Sequence, residues 1–259
     1  MKTSQPIQTK PVLSVIVPAH NEVENVGPLI ARLEASLAGL SGGFEVVVVD
    51  DGSTDGTGSV LADIARAGRI RVVSHPKNFG YGAALRSGFA VAQGHYFSFI
   101  DGDGQLDPAD LPRLLAAADR RRLALGFRQK RADNIARVLL GTVFSRVFVP
   151  ATLGVRVKDV DCALKVFPSS LLQSIQLTAD GALINAELLA FAASLGYSFT
   201  ELPVSHAPRT TGEQSGASLR VIYKVFRELL AVRRRVRQAE RRSENSELRL
   251  LGLQRAPQA

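Results

Sequence analysis

Two pairs of aspartates stand where apolar runs of the sequence end. Asp50 and Asp51 follow Val46–Val49, and Asp101 and Asp103 follow a second apolar run half a domain later. Buried parallel strands read as continuous apolar runs, and open α/β sheets bind their ligands at the carboxyl ends of such strands. We therefore expect these four carboxylates to meet in one crevice.

Asp101 and Asp103 suit the binding of one divalent cation. Residues two apart in an extended segment point to the same side, so both carboxylates can reach the same ion. Hard cations take oxygen ligands and fill their remaining positions with water and phosphate oxygens. The pair therefore predicts a metal site that serves a nucleotide diphosphate.

The elements that position these residues alternate between strand and helix. Apolar runs predict strands at Val12–Val17, Val46–Val49, Ile70–Ser74, Tyr96–Ile100, Leu123–Phe127, Ala163–Phe167 and Phe199–Ser205. Helices are predicted from Asn21 to about Ala38, at Thr57–Ala67 and Tyr81–Ala92, from Asp107, and at Ile135–Leu153 and Leu183–Leu195. Repeated β-α-β units indicate an α/β fold with a mostly parallel sheet.

Composition bounds the class of protein. The chain has 259 residues, 46% of them hydrophobic, which is enough for one large domain with its own core. No stretch approaches the roughly 18 to 20 uncharged apolar residues of a membrane span, and Met1–Pro11 lacks the apolar core of a signal peptide. Because Cys162 is the single cysteine, no disulfide forms within the chain. We expect a cytoplasmic location.

The net charge of +8 is concentrated near the end of the chain. Leu219–Arg242 carries nine Lys or Arg residues against Glu228 and Glu240, and its apolar residues recur at helical spacing. This pattern predicts a basic amphipathic helix. Two interpretations stand: a helix packed on the domain, or a helix lying on an anionic membrane surface, where each basic residue adds roughly 1 kcal/mol. Nucleic acid is not expected as a partner, because no recognisable nucleic-acid-binding motif accompanies the basic residues.

Four motifs, in order, resemble those of the family 2 glycosyltransferases of GT-A fold, and among these the polyprenyl-phosphate (dolichyl-phosphate) sugar synthases. The motifs are Ser14–Glu22, Val49–Thr57, Asn78–Gly88 and Asp101–Gln105. Each motif alone is common in unrelated sequences, because glycine-rich turns and Asp-Gly pairs are frequent. All four, however, occur at the family's spacing. The resemblance covers roughly Pro11 to Ala217.

The resemblance implies a GT-A fold, a Rossmann-like mixed, mostly parallel sheet flanked by helices, with the C-terminal basic amphipathic helix added to it. The resemblance covers the glycosyltransferase domain (11–217), and the sequence around it predicts a disordered start (1–10), the basic helix (218–242) and a flexible tail (243–259). Within the domain, the nucleotide-binding half extends to about residue 127 and the acceptor half follows.

The resemblance also implies roles for single residues. Asp103, with Asp101 beside it, would hold Mg²⁺ or Mn²⁺ against the donor diphosphate, where the ion acts as a Lewis acid on the leaving group. The residues that would bind the nucleotide sugar are Pro18, Ala19, Glu22, Asp50, Asp51, Gly80 and Gln105. The alternative for Asp50 and Asp51 is a polar turn that caps the next helix.

Arginines follow the fifth predicted strand. Arg128 and Arg131 could reach the donor diphosphate or an acceptor phosphate, since a guanidinium binds such anions in a bidentate manner. The alternative is ordinary surface arginine. Arg209 and Ser215 lie in a loop that resembles a flexible flap of the family over bound phosphates, with a mobile polar loop as the alternative.

Asp161 and Glu187 lie in segments that resemble the family's acceptor half, where they would shape the sugar pocket. A carboxylate that caps a strand or a helix explains each of them nearly as well.

The acceptor follows from the lack of an unambiguous general base. An inverting enzyme that glycosylates a hydroxyl needs such a base, whereas a phosphate monoester, with a second pKa of about 6, is already ionised at neutral pH. We therefore expect inverting transfer of mannose or glucose, from GDP-mannose or UDP-glucose, to polyprenyl phosphate, with peripheral membrane contact through Leu219–Arg242. One alternative is a soluble hydroxyl acceptor, with Asp161 or Glu187 as the base. The other is a non-catalytic adaptor that binds nucleotide sugars.

Overall fold

The computed structural model describes residues 10–129, 142–208 and 228–240. Its strands are β1 (Leu13–Ala19), β2 (Phe44–Asp50), β3 (Arg71–Ser74), β4 (Tyr96–Phe99), β5 (Arg122–Arg128), β6 (Lys165–Pro168) and β7 (Ser198–Val204). Its helices are α1 (Val23–Leu37), α2 (Thr57–Arg66), α3 (Tyr81–Val91), α4 (Leu111–Ala117), α5 (Val149–Leu153), α6 (Ser170–Ser174) and α7 (Ile184–Ser194). A 3-10 turn (Pro108–Asp110) precedes α4, a π-helical turn (Phe144–Phe148) precedes α5, and residues 228–240 form a further helix, α8.

The seven strands form one mixed sheet in the order β3-β2-β1-β4-β6-β5-β7. Neighbouring strands run parallel except at β6, which is antiparallel to both β4 and β5. The predicted α/β class with a mostly parallel sheet is confirmed. Because β4 is the central strand, the residues that follow it are presented from the middle of the sheet.

The core lies on both faces of the first strands. Every residue of β1 is buried, as expected for a parallel strand covered on both sides. Helix α1 packs an apolar stripe toward the sheet, formed by Val26, Leu29, Ile30, Leu33 and Leu37. On the other side of the centre, the rings of Phe89, Phe97 and Phe167 pack together and join α3, β4 and β6.

Each predicted strand is present, with bounds within two residues of those read from the sequence. The helix predicted from Asp107 starts as the 3-10 turn, and the Asp107 side chain accepts a hydrogen bond from the Ala109 N–H at 3.1 Å. The short helix α6 was not predicted, because five residues are too few to show a helical period.

Helix α8 packs its apolar stripe into the domain. Leu229, Val232 and Val236 are buried in the core, and only Leu230 of its large apolar side chains is exposed. Over residues 228–240 this apolar stripe is therefore covered by the domain, while the predicted basic helix over 218–242 as a whole stays a prediction. The rest of 218–242, the start 1–9 and the tail 243–259 lie outside the described residues. Within the described ranges, no helix combines the length and the apolarity needed to cross a bilayer.

Candidate active site

The carboxyl ends of β1, β2 and β4 meet at one edge of the sheet. Ala19 pairs with Asp50 in register, and the Asp51 N–H donates to the Ala19 carbonyl oxygen at 2.8 Å. A Cβ atom at Gly102 would come within 2.9 Å of the Pro18 carbonyl oxygen, so the turn after β4 passes directly against the end of β1. The structure thus brings three of the predicted ligand-contacting segments to one place, at the ends of β1, β2 and β4.

Asp50 lies just before α2. Its Oδ1 accepts a hydrogen bond from the Ser53 N–H at 3.0 Å, and its Oδ2 would be 2.9 Å from a Cβ atom placed on Gly58 in the first turn of the helix. A carboxylate in this position also interacts favourably with the helix dipole. Asp50 therefore forms the polar turn that the sequence offered as the alternative, at the edge where a ligand would bind. Nearby, the predicted Glu22 accepts a hydrogen bond from Asn25 at 2.6 Å.

Asp51 holds the glycine-rich segment Asn78–Gly88 in place. Its carboxylate accepts hydrogen bonds from the N–H groups of Phe79 and Gly80 at 2.9 and 2.8 Å, and its Oδ1 lies 2.6 Å from His75 Nδ1. Gly80 has a φ of +100°, and a Cβ atom there would meet the Asp180 carbonyl oxygen at 2.6 Å, so only glycine fits. Asp51 is 3% exposed, and its hydrogen bonds fix this segment.

Asp101 carries a buried oxygen without a partner. Its Oδ1 makes no hydrogen bond among the described residues. Burial, together with the charge of Asp103, raises the pKa of Asp101 to about 6. A buried polar atom without a partner is costly, and a bound cation would supply the missing partner. The chemistry of this oxygen therefore fits a metal ligand.

Asp103 and Gln105 continue the turn. The Gln105 N–H donates to Asp103 Oδ1 at 3.1 Å, and the Gln105 amide group donates to the Ala207 carbonyl oxygen at 3.1 Å, which ties the turn to the chain after β7. The described part of the chain contains no group of three or more His, Cys, Asp or Glu residues that could hold a metal. Mg²⁺ is commonly bound through one or two carboxylates together with water and substrate phosphates, and Asp101 with Asp103 fits that pattern.

Arg128, at the end of β5, is paired with Asp159. Its Nε and Nη2 donate to the two oxygens of this carboxylate at 2.8 and 3.0 Å, and the pair is largely buried. Two donors of its guanidinium are therefore already used, although its charge still acts on Asp101. The predicted phosphate ligands Arg131, Arg209 and Ser215 lie outside the described residues.

Asp161 lies two residues beyond Asp159 of this ion pair. Burial, and to a lesser degree the charge of Asp159, raises the pKa of Asp161 to about 6, against the opposing charges of Lys165 and Arg128. A carboxylate with a raised pKa beside a binding edge has the property of a general base.

In Glu187, in contrast, both carboxylate oxygens already accept hydrogen bonds within the fold. It is fully buried, and its oxygens accept hydrogen bonds from the N–H groups of Thr178 and Ala179, at 2.8 to 3.1 Å, and from Arg235 of α8 at 2.6 Å. The loop it holds packs in turn on α3, where the Gly82 N–H donates to the Asp180 carbonyl oxygen at 2.7 Å. Glu187 acts as an anchor for this loop, which is neither the end of a strand nor the end of a helix.

Tyr81, Lys165, Asn185 and His75 are the polar residues near the site that the sequence analysis missed. Lys165 is wholly buried, and its Nζ donates to Asn185 Oδ1 at 2.9 Å. The only signal in the sequence was a single lysine inside an apolar strand, which local patterns do not explain. His75 bridges Asp51 and Ser87, with its Nε2 2.9 Å from the Ser87 hydroxyl, and it too carried no motif.

Comparison with known proteins gives the family. Residues 14–172 match the model of Glycosyl transferase family 2. A dodecaprenyl-phosphate galacturonate synthase from Rhizobium johnstonii is 33% identical over 69% of this chain and 54% of its own length. An undecaprenyl-phosphate 4-deoxy-4-formamido-L-arabinose transferase from Klebsiella pneumoniae is 30% identical over 81% of this chain and 64% of its own length. The chain thus spans between about half and two-thirds of these relatives.

Solved structures agree on the fold. Glucosyl-3-phosphoglycerate synthase from Mycobacterium tuberculosis, in complex with Mn²⁺, UDP and phosphoglyceric acid, has a TM-score of 0.62 at 24% identity, over 86% of this chain and 77% of that one. TarS 1–349 from S. aureus, in complex with UDP-GlcNAc, has a TM-score of 0.59 at 20% identity, over 85% of this chain and 66% of that one.

Proposed function

The chain belongs to glycosyl transferase family 2, and we propose that it transfers a sugar from a nucleotide sugar to a polyprenyl phosphate, with inversion at the anomeric carbon. The two curated relatives described above are each named for a polyprenyl phosphate and a sugar. The observation that carries the proposal is the partnerless, buried Oδ1 of Asp101 beside Asp103, at the sheet edge that also presents Asp50.

On the donor side, the chain supplies a preorganised binding edge. Asp101 and Asp103 would hold Mg²⁺ or Mn²⁺, which when bound supplies Lewis-acid stabilisation of the leaving diphosphate. Asp51 fixes the glycine-rich segment by its hydrogen bonds to Phe79 and Gly80, so that this segment keeps its place beside the nucleotide. The M. tuberculosis neighbour was crystallised in complex with Mn²⁺ and UDP, so these two are the first metal and nucleotide to test.

On the acceptor side, the proposal requires no general base. A lipid phosphate monoester has a second pKa of about 6 and attacks the anomeric carbon as an anion. Arg128, whose guanidinium pairs with Asp159 and whose charge acts on Asp101, contributes positive potential for the diphosphate and the incoming phosphate. Arg131, Arg209 and Ser215 keep their proposed roles in phosphate contact.

The sugar belongs to the same proposal. Mannose or glucose was expected from the resemblance, whereas the curated relatives are named for galacturonate and 4-deoxy-4-formamido-L-arabinose. A donor panel for this chain therefore includes both kinds of sugar, carried on UDP and on GDP.

Membrane contact, as proposed, is peripheral, and α8 is not the best surface for it. Its apolar stripe is buried, so this part of the predicted Leu219–Arg242 contact offers only its charged face. Val147 and Phe148, in contrast, are 55% and 41% exposed and directly follow Arg146. Arg146 lines a cavity of about 310 Å³ together with Arg156, Lys158 and Glu201. Exposed apolar side chains next to basic ones suit the headgroup region of an anionic bilayer.

A transfer assay tests the proposed function. Purified protein is incubated with Mn²⁺, polyprenyl phosphate in detergent and each labelled donor in turn, and label that moves into the organic phase is counted. We expect one donor to label the lipid. Asp103→Asn should abolish the transfer, while the matched variant Asp119→Asn, at an exposed ion pair with Arg122, should leave it unchanged. If no donor labels the lipid, the proposed acceptor is wrong.

A second candidate is transfer to a soluble hydroxyl acceptor, and the raised pKa of Asp161 favours it. Here Asp161 would take the proton of the hydroxyl as the general base, a role for which the fully engaged Glu187 is not suited. Asp161→Asn separates the two candidates. It should keep most of the transfer to a phosphate acceptor, and it should remove at least about 100-fold of a transfer that needs the base.

A further inference from the structure

Residues 75–80 cross the carboxyl ends of β2 and β3. The His75 N–H, directly after β3, donates to the carbonyl oxygen of Asp50, the last residue of β2, at 2.9 Å. A Cβ atom on Gly52 would lie 2.5 Å from the Lys77 Cα atom, so the segment passes directly over the turn that follows β2. Since β2, β3 and β4 run in the same direction, the segment lies on the edge of the sheet that also presents the turn after β4.

Phe79 presents an exposed ring on this segment. The residue is 43% exposed, yet its N–H donates to Asp51 Oδ1 at 2.9 Å, and its ring meets the His75 ring edge to face, with the ring centres 5.2 Å apart. His75 is in turn held between Asp51 and Ser87, at 2.6 and 2.9 Å. A single exposed apolar side chain is ordinary on a protein surface, but this one is held in place at an edge where a ligand would bind.

The sheet gives the distance between this ring and the proposed metal ligands. Neighbouring strands lie about 4.8 Å apart, and β2 is two positions away from β4 in the strand order. The ends of these two strands are therefore about 10 Å apart. In a nucleoside diphosphate, the ribose separates the base from the outer phosphate by a similar length. A diphosphate held at Asp101 and Asp103 would thus place its base over the end of β2, in the neighbourhood of Phe79.

We propose that Phe79 is the surface on which the base of the nucleotide sugar stacks. The ring supplies an apolar face that is already fixed, and Lys77 Nζ, 5.4 Å from the ring centre, supplies a donor for the carbonyl oxygens of a base. Asp51 then acts on the nucleotide through the segment that it holds. Because every base has a π-face, Phe79 contributes affinity and does not choose among bases. The inference rests on the proposed binding of a nucleotide sugar at this edge.

Phe79→Trp gives a direct readout, because the chain contains no tryptophan of its own. A base that stacks on the indole quenches its fluorescence. We expect UDP or GDP, each titrated with Mg²⁺, to quench the fluorescence of Phe79→Trp and to reach the limit of quenching where binding saturates. Phe148→Trp, at another exposed phenylalanine, is the matched control and should keep its fluorescence.

A pair of ligands separates the base from the diphosphate. Equilibrium dialysis with Mg²⁺ measures the Kd for the nucleotide and the Kd for pyrophosphate, which has no base. Removing a ring on which a nucleic-acid base stacks weakens binding about fivefold to more than 100-fold, so we expect Phe79→Ala to weaken nucleotide binding about tenfold and to leave pyrophosphate binding unchanged. Phe79→Tyr keeps the ring and should bind both ligands as the unmodified protein does. Phe148→Ala should also change neither.

Three results would overturn the inference, and they are distinguishable. Fluorescence of Phe79→Trp that does not change while the nucleotide binds would show that the base lies elsewhere. Equal losses of nucleotide and pyrophosphate affinity in Phe79→Ala would assign Phe79 a structural role in its segment. An unmodified protein that binds neither UDP nor GDP would remove the proposed nucleotide site itself, and the inference with it.

Discussion

Glu187→Gln should be one of the most damaging conservative substitutions in this protein. The Glu187 carboxylate is fully buried, with Oε2 accepting from the N–H groups of Thr178 and Ala179 at 3.0 and 2.8 Å and Oε1 accepting from Arg235 at 2.6 Å. A glutamine has one oxygen and one NH₂ group, so in either orientation the NH₂ group faces donors. The substitution therefore loses the bonds on one side and places donors against donors.

The magnitude follows from these contacts. Hydrogen bonds to a charged group contribute about 1.5 to 3 kcal/mol each, and a buried donor left without a partner adds a similar penalty. The Arg235 side chain is 29% exposed, so its pair with Glu187 is partly screened and contributes about 1 kcal/mol or less. We expect Glu187→Gln to lower the free energy of unfolding by about 3 kcal/mol, and Arg235→Met by about 1 kcal/mol.

Urea unfolding, followed by circular dichroism, measures both changes. Glu34→Gln is the control, because Glu34 pairs with Arg69 at the surface and its loss should cost less than about 0.5 kcal/mol. The Glu187 variant should also bind UDP more weakly, since the loop that it holds packs on α3. A loss for Glu187→Gln no larger than that for Glu34→Gln would refute the anchoring role.

Three further predictions concern other parts of the structure. The pKa of Asp161 is raised from 3.8 to about 6, so its contribution to stability is fully present below pH about 4 and is lost as the pH rises through 6. Asp161→Asn should therefore be more stable than the unmodified protein at pH 8, by at most about 3 kcal/mol. Urea unfolding at pH 4 and at pH 8 measures this difference in stability, and an equal difference at both pH values would contradict the prediction. Gly82→Ala should lower the unfolding free energy by about 2 to 3 kcal/mol, because its Cβ would lie 2.1 Å from the Ala179 carbonyl oxygen; an unchanged melting temperature would speak against it. Phe148→Asp should weaken binding to vesicles that contain phosphatidylglycerol about tenfold, while Leu230→Asp should not. The assay is sedimentation of the vesicles with each variant. Weaker binding by Leu230→Asp than by Phe148→Asp would show that α8 is the contact instead.

The sequence predicted which strand ends meet better than it predicted the contacts between the side chains around them. Apolar runs that end in Asp50 and Asp101 identify strands whose ends meet, because parallel strands place their carboxyl ends at one edge. The direction of β6 was not readable, since a buried strand shows the same apolar run in either orientation.

Contacts between distant residues explain the rest. Lys165 is an anomaly in an apolar strand until Asn185, on another helix, is seen to accept its hydrogen bond. Glu187 suggested either a ligand or a cap, and only the loop at Thr178 shows that its oxygens are used. In α8, helical spacing predicted an apolar stripe but not what covers it, because periodicity carries no information about the partner surface.

The chemical form of the product tests the central claim most directly. A lipid phosphate monoester loses its second proton with a pKa of about 6, whereas a phosphodiester to a sugar has no second proton to lose. After reaction with the active donor, we predict a lipid phosphorus-31 resonance whose shift no longer changes between pH 5 and pH 7, and which requires Asp103. A lipid that keeps the titrating resonance of a monoester while the sugar is transferred elsewhere would contradict the account.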